Sequence, residues 1–519
     1  MLLAAGCMVG PHYRGAGAPT APEWLDAADP RLRSDAPADP RWWTAFGDPV
    51  LTRLVDDARA RNPTLESAGL RVVQALARRG IAIGNLYPQQ QEATAAYTHT
   101  IFSLNTPTLA SAGSLAGGSR ALDNWQLGFD TAWEVDLWGR FRRGIEASDA
   151  DLLASLATYD DVLVSLEAQI ASTYIQERVL EARLAIAHDN VVTQRDSLDI
   201  AQVRFEAGGT SDLDVQQALT LLRDTQATIP ALEAQRRQAT DLLSALVGLP
   251  PQQIGSLVGD PGRVPDPPAT VAVGIPADLI ARRPDVRAAE RAAAAQSARI
   301  GVAFADLLPR VDLVGTVGLS ADDAARLLEG RSFTASAGPQ VEWPVLNYGR
   351  IINNVRLQDA TFQQLLADFT ATVLRAQQEV EDALAGYLNG LVQVGRLEDS
   401  VVAASRAVDL SMIQYRQGAA DYTRVLNSQQ QLLREADLLA QTRGGVAQSV
   451  VSLYRALGGG WEVRNGQDLI HPETVRTMRA RTWYGSILAD DRPAKDIDEA
   501  QHGTEGSRFW KWRFWWPRW

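Results

Sequence analysis

From Trp125 to Leu137 the chain alternates two kinds of position. The odd ones are Trp125, Leu127, Phe129, Thr131, Trp133, Val135 and Leu137; the even ones are Gln126, Gly128, Asp130, Ala132, Glu134 and Asp136. A period of two with one greasy and one polar face predicts a β-strand between unlike media. Gly139-Arg140 ends it, and a long helical pattern begins at once. The event recurs near residue 333, where Phe333, Ala335, Ala337, Pro339, Val341 and Trp343 alternate with Thr334, Ser336, Gly338, Gln340 and Glu342. That run ends in Leu346-Asn347-Tyr348-Gly349-Arg350, and another long helix follows.

The recurrence is an internal repeat. Arg61 to Gln89 aligns without gaps on Arg282 to Arg310, with nine of 29 positions identical, among them Pro63/Pro284, Gly80/Gly301, Leu86/Leu307 and Pro88/Pro309. Downstream the offset becomes 210 and matches Gly139/Gly349, Gly208/Gly418 and Gly248/Gly458. The difference falls in the β part, where 105–123 is rich in Ser, Gly and Ala, and a hairpin loop tolerates insertions. Each half reads helix, proline, strand, loop, strand, Gly-Arg, long helix, glycine turn, long helix, glycine. The expected strands are 90–104, 124–138, 310–320 and 333–345, the first with poor alternation. The expected long helices are 140–207, 211–247, 350–417 and 420–457. No proline occurs from Thr108 through Ile229 or from Val345 through His471, so helices on the order of 100 Å are possible at 1.5 Å per residue. Leu152, Leu156, Tyr159, Leu163, Leu166 and Ile170 form one coiled-coil seam, and Val164, Ala168, Ala171 and Ile175 a second, smaller one. Two seams imply neighbours on both sides, as in a ring of helices. Pro230 is expected to kink its helix.

The flanking segments divide the chain further. Residues 1–7 read as the end of an incomplete lipoprotein signal, and 8–47 as an extended, proline-rich arm without regular structure. The repeats occupy 48–249 and 276–461, joined by a Pro/Gly-rich linker at 250–275. A segment at 462–488 and a tether with its tail at 489–519 follow.

Composition narrows the picture. Of 519 residues, 46% are hydrophobic and 22% charged, so the chain is not disordered. A net charge of −12 without a long basic run ahead of the C-terminus argues against nucleic acid. No apolar run of about 18 residues is present, so any membrane crossing uses strands. The one cysteine, Cys7, follows Leu2-Leu3-Ala4-Ala5-Gly6. A lipoprotein signal ends this way, although the usual Leu is Ala4 here and the positively charged region and most of the apolar core are missing; the alternative is an incidental cysteine.

Four strands cannot close a barrel alone, because unpaired backbone groups in hydrocarbon cost several kcal/mol each and the smallest closed bacterial barrels have about eight strands. Several chains must therefore share one; two would give eight strands with an interior filled by side chains, and three would give twelve with room for a lumen. Gln126, Asp130, Glu134, Asp136, Gln340 and Glu342 would line that lumen with negative charge, while Trp125 and Trp133 would mark the membrane boundaries. A soluble β-sandwich is the competing architecture.

At this point the residues resemble the TolC-like outer-membrane efflux factors, in the NodT-type lipoprotein branch that works with RND pumps. The likeness runs from Cys7 to Trp461. It includes Cys7-Met8-Val9-Gly10-Pro11-His12-Tyr13, Trp42-Trp43 with Phe46-Gly47-Asp48-Pro49, and Trp133 through Arg140. It also includes Arg204-Phe205 with Gly208 and Ser211 through Val215, and Leu457 through Trp461. The resemblance implies a mainly α protein with a small transmembrane β part: a homotrimer with a twelve-stranded barrel in the outer membrane of a Gram-negative bacterium, continuous with a periplasmic α-helical barrel. It implies a lipid anchor at Cys7, contact with outer-membrane lipid, a periplasmic membrane-fusion adaptor and an inner-membrane RND pump. The adaptor would dock at the helix tips Gly208, Gly209, Thr210, Ser211, Asp212 and Leu213, and Gly418, Ala419, Ala420, Asp421 and Tyr422. In the family an Asp and an Arg just inside the second tip close the periplasmic aperture; here those positions are Asn427 and Gln430, and the segment also holds Thr423. Asp421 and Arg424 are near enough to pair instead.

No enzymatic motif is present. Five histidines, at 12, 99, 188, 471 and 502, have no ligand spacing; no phosphate-binding loop or Gly-x-Ser-x-Gly elbow occurs. Arg282-Arg283-Pro284-Asp285 reads as helix-start chemistry. No cofactor is implied. The favoured function is a passive exit duct for drugs and toxic compounds. A duct for type I protein secretion or metal efflux, and a periplasmic coiled-coil scaffold without a pore, stay open.

The last twelve residues, 508–519, hold five of the 14 tryptophans, two Phe and four basic side chains. This composition suits a membrane–water boundary or a partner surface, with a tail of no consequence as the alternative. A peptide of residues 489–519 is expected to show a blue shift of tryptophan emission with anionic vesicles, reversed by salt; no shift, with normal efflux after deletion of 508–519, would discard the idea.

Overall fold

The computed structural model describes residues 8–33, 39–103, 121–481 and 483. Cys7, most of the glycine-rich insertion and the aromatic tail lie outside the described residues. The described chain forms two compact units, one holding 73–154 and 289–368 with the first sixteen residues, the other holding 17–72, 155–288 and the chain from 369 onward.

In the first unit four strands form one antiparallel sheet in the order β2–β3–β5–β6: β2 Gln90–Ile101, β3 Ala121–Glu134, β5 Arg310–Ala321 and β6 Phe333–Glu342. Strand β2 is as long as its repeat mate β5 despite its poor alternation, because its ladder against β3 fixes it from Gln90↔Ala132 to Ile101↔Ala121. Two strands end earlier than their patterns extend, β3 at Glu134 and β6 at Glu342. Each half turns from strand to helix in the same way. The indole N–H of Trp133 donates to the Leu86 carbonyl at 3.2 Å, and that of Trp343 to the Leu307 carbonyl at 3.0 Å. The repeat aligns both donors and both acceptors. Gly139 and Gly349 follow at φ 79° and 80°, a left-handed conformation that glycine adopts without strain.

The helices carry the duplication to their ends. Helix α1 spans Pro49–Arg61, α2 Pro63–Gly84, α3 Arg140–Glu206 and α4 Asp212–Val247. In the second half α5 spans Pro284–Ala305, α6 Arg350–Arg416 and α7 Tyr422–Ala456. The two longest, α3 and α6, have 67 residues each. Both seams read on α3 are buried along their whole length. Helix α4 continues through Pro230, so the expected kink is no break in the helix; the loss is one backbone donor.

In the second unit both returning helices end on the segment that starts the repeat. Asn62 caps α2 by accepting from the amides of Thr64 and Leu65, and its own amide donates to the Leu246 carbonyl at 2.7 Å. At the aligned position Arg283 donates to the Ala456 carbonyl at 3.0 Å. The same orphan carbonyl at a helix end is satisfied twice with different chemistry.

The proline-rich arm, expected to lack regular structure, has some. Leu32–Arg33 (β1) pairs in parallel with Val271–Ala272 (β4), and Trp42–Phe46 forms a 3-10 turn with Trp42 and Trp43 fully buried. In the first unit, Val9 donates to the Trp138 carbonyl at 3.1 Å. Fully buried Arg143 donates to the carbonyls of Val9 and Gly10 at 3.0 and 3.2 Å. A side chain on Gly10 would collide with Gly301 Cα, and one on Gly301 would meet the Val9 carbonyl at 2.7 Å.

The deepest ion pair of the second unit joins Asp160 on α3 to Arg464, with side-chain exposures of 0% and 4%. Arg287 approaches the same carboxylate at 3.6 Å, and both guanidinium groups lie over the Trp461 ring, at 4.7 and 5.8 Å from its centroid. Removing one partner of such a pair leaves a buried charge uncompensated, at a cost of about 3–5 kcal/mol. Asp160→Ala is expected to lower the thermal unfolding temperature sharply. Arg237 and Asp241 form an exposed pair at 3.7 Å, and a shift as small as that of Asp241→Ala would contradict this account.

Candidate functional site

The two helix tips of the second unit are built alike. Helix α3 ends at Glu206 and Gly208 takes φ 75°; α6 ends at Arg416 and Gly418 takes φ 72°. Gly208 donates to the Phe205 carbonyl and Gly209 to that of Arg204; Gly418 donates to Tyr415 and Ala419 to Gln414. This nested pair of bonds around a left-handed glycine closes a helix and reverses the chain. Of the expected docking residues, Gly208, Gly209, Ser211, Asp212, Leu213, Gly418, Ala419 and Asp421 are exposed, Thr210 and Ala420 are half-buried, and Tyr422 is buried.

Beneath this surface the tips are clasped. Arg204 donates to the Tyr415 carbonyl and, at 3.1 Å, to that of Gly209, and its guanidinium lies 4.4 Å from the Tyr415 ring centroid. The Tyr415 hydroxyl donates to Asp214 Oδ2 at 3.1 Å, and the Thr210 hydroxyl donates to the same oxygen. Tyr415 and Tyr422 pack edge to face with centroids 5.3 Å apart. Around them all four helix ends contribute to one apolar cluster, including Leu198, Ala201, Val215, Leu222 and Val425. Burial, and then the charge of Asp214, push the Tyr415 hydroxyl up to about 12.

The residues expected at the aperture sit differently. Thr423, Arg424, Asn427 and Gln430 are exposed. Asp421 and Arg424 form no ion pair; Asp421 stands at the N-cap of α7, and the Arg424 carbonyl accepts from Ser428. The buried amide of this stretch is Gln429, which donates to Ser197 at 2.9 Å. Sequence reasoning therefore missed the clasp of Arg204, Asp214 and Tyr415. The available signal was a tyrosine on either side of Gly418, seven residues apart, facing an acid four residues after Thr210.

On the sheet of the first unit, residues directly opposite one another share a face. Glu92, Asp130, Thr316 and Ser336 form one row, and Glu134, Asp312 and Gln340 another. Gln126 lies opposite Ala96 and Ser320, and Glu342 opposite Arg310 on this same face. The other face carries Trp133 with Leu313, Phe129 with Val317 and Ala335, and Leu127 with Leu319 and Phe333. Five of the six expected lumen residues thus share the polar face. Asp136 does not belong to it: the strand has ended, and its carboxylate caps α3 by accepting from the amides of Phe141 and Arg142 and pairs with the Arg142 side chain at 3.0 Å. Two of the acids are neutralised locally, Glu134 by Arg140 at 3.0 Å and Glu342 by Arg310 at 2.9 Å.

A family model described as outer membrane efflux protein matches residues 54–249 and 275–459. The chain belongs to that family. The pyoverdine export outer membrane protein OpmQ of Pseudomonas putida is 32% identical over 431 residues, covering 83% of this chain and 90% of its own. Nodulation protein T of Rhizobium leguminosarum bv. trifolii is 30% identical over 463 residues, 89% of this chain and 96% of its own. The solved outer-membrane channel OprN superposes with a TM-score of 0.80 at 31% identity, over 88% of this chain and all of that one. As a member of the family, this efflux protein is an outer-membrane exit duct with a periplasmic extension, works with adaptor and inner-membrane pump proteins, and is not an enzyme.

The clasp predicts a pH response. A tyrosine whose folded pKa is raised contributes stability that is present below its ordinary value near 10 and is lost as pH rises through about 12. Proteolysis at the tips is expected to accelerate between pH 10 and 12 in the native efflux protein. Tyr415→Phe should be looser at neutral pH and lack that step; an unchanged step in the variant would show that another group titrates.

Proposed function

We propose that this efflux protein is a passive duct for small toxic compounds, assembled as a homotrimer whose twelve strands close one barrel. The observation that carries the reading is the four-stranded sheet itself. It has one apolar face and two edge strands, β2 and β6, whose outer backbone groups need partners in hydrocarbon. Pairing β6 of one copy with β2 of the next satisfies both edges, and the polar face, with Gln126, Asp130, Glu134, Gln340 and Glu342, then lines a water-filled lumen of negative charge. Lipidation at Cys7 adds a second membrane attachment. The exposed tips around Gly208–Leu213 and Gly418–Asp421 would receive the periplasmic adaptor, and an inner-membrane RND pump would supply the cargo.

The aperture would be held by the clasp of Asp214, Tyr415 and Arg204, with Asn427 and Gln430 as neutral amides where the family places opposite charges. Neutral amides make a weaker lock, since an exposed ion pair is worth about 0–1 kcal/mol. Purified protein in planar bilayers is expected to conduct with a preference for cations. Asn427→Asp with Gln430→Arg should lower single-channel conductance modestly. A protein that does not conduct would favour the scaffold without a pore, and unchanged or higher conductance in the double variant would remove the amides from the aperture.

A further inference from the structure

We propose that the sheets of neighbouring copies join in one register, in which Pro339 of β6 stands opposite Tyr97 of the next copy's β2, and Gln340 opposite Ala96. The inference rests on the shared barrel proposed above and adds which residues meet where two copies join.

The repeat supplies the template. Each chain contributes two hairpins, β2–β3 and β5–β6, and β3 pairs with β5 inside the chain, so the joint between one hairpin and the next is already on view. The two hairpins are in equivalent register. Gln90 pairs with Ala132 at the base of the first, and Arg310 with Glu342 at the base of the second. Ala132 and Glu342 are related by the 210-residue offset of the repeat, so Gln90 and Arg310 are equivalent. Gln90 lies two residues after Pro88, whereas Arg310 directly follows Pro309. The first half therefore holds one extra residue ahead of its strand. Carrying the proline alignment straight into the sheet would turn every β2 side chain to the wrong face.

With the hairpins matched, the β3–β5 joint transfers onto β6 and the next copy's β2. Asp130↔Thr316 becomes Gln340↔Ala96, Phe129↔Val317 becomes Pro339↔Tyr97, and Trp125↔Ala321 becomes Ala335↔Ile101. Stagger, tilt and strand number are linked in a closed barrel, and one stagger serves throughout when every hairpin meets the next alike.

The hydrogen-bond phase agrees without appeal to the repeat. The Val135 amide donates to the Val311 carbonyl at 2.9 Å. Bonded and non-bonded pairs alternate along an antiparallel ladder, so odd-numbered residues of β5 bond to β3 and even-numbered ones to β6. The odd residues of β6 then turn their backbone groups outward. Pro339 is one of them, and a proline, lacking an N–H, fits a sheet where the strand already beside it asks for no donor. On the rung opposite Tyr97 it accepts one bond and donates none. By the same alternation the odd residues of β2 face outward, and the proposed register pairs odd with odd. A slip of one residue would break this phase and set the apolar face of one copy beside the polar face of the next. A slip of two that brings Glu342 opposite Glu92 would set like charges side by side; the proposed register gives Glu342 a threonine, Thr94.

The test introduces cysteine pairs into the full chain, produced with a complete leader in a Gram-negative host. Non-bonded pairs of an antiparallel ladder hold their side chains closest, and Gln340 opposite Ala96 is such a pair. On mild oxidation of outer membranes, Gln340→Cys with Ala96→Cys is expected to convert most of the chain into covalent dimers and trimers, the linked peptides being assigned by mass spectrometry so that Cys7 is not counted. Gln340→Cys with Thr94→Cys, and Gln340→Cys with Thr98→Cys, lie two residues off on the same face and should link several-fold less. Stronger linking in either shifted pair, or equal or absent linking in all three, in a protein that native mass spectrometry finds trimeric, would overturn the register and leave the shared barrel standing. A protein found monomeric would overturn the shared barrel, and the register with it.

Discussion

A β-sheet immersed in hydrocarbon has no water to turn to, and every backbone group along its edges must find a partner. Most of this protein follows from that constraint. The four described strands of this kind cannot satisfy it by themselves, and under the proposed trimer their two edges become interfaces between copies. In that proposed assembly the polar face gains a role, because closure makes an inside. The strands end in indole–carbonyl bonds from Trp133 and Trp343, which fix where each long helix departs from the sheet.

Duplication lets one solution serve twice, and the two halves show which parts of it are geometry and which are chemistry. Left-handed glycines stand at aligned positions in each strand exit, each tip and each helix end. The capping of the final helix carbonyls is performed by an amide in one half and a guanidinium in the other. What is retained is the backbone path. Charge is where the halves part, and the partnership at the tips needs that asymmetry, because Arg204 and Asp214 come from the first hairpin and the ring they hold comes from the second.

This asymmetry also explains how much could be read from the chain alone. The strand-to-helix transition, the repeat, the two seams on α3 and the polar strand face depend on local period, and local period is visible in a sequence. Strand β2 was hard to read because its stability comes from its neighbour's ladder and not from its own alternation. Asp136 was misassigned because it continues the period after the strand has stopped, and its side chain turns to the helix amides. The clasp was invisible because it joins positions some two hundred residues apart, and neither sequence segment announces the other.

The contact of Gly10 with Gly301 has a bearing on the order of folding. The first described residues of the chain rest on a helix made almost three hundred residues later. Contacts so distant in sequence form late, after the loop they close has been ordered. This arm, made well before α5, is therefore seated late. Its site exists only once α5 has packed beside the start of α3, so a docked arm reports that the chain has been made through α5 and that α5 has met α3.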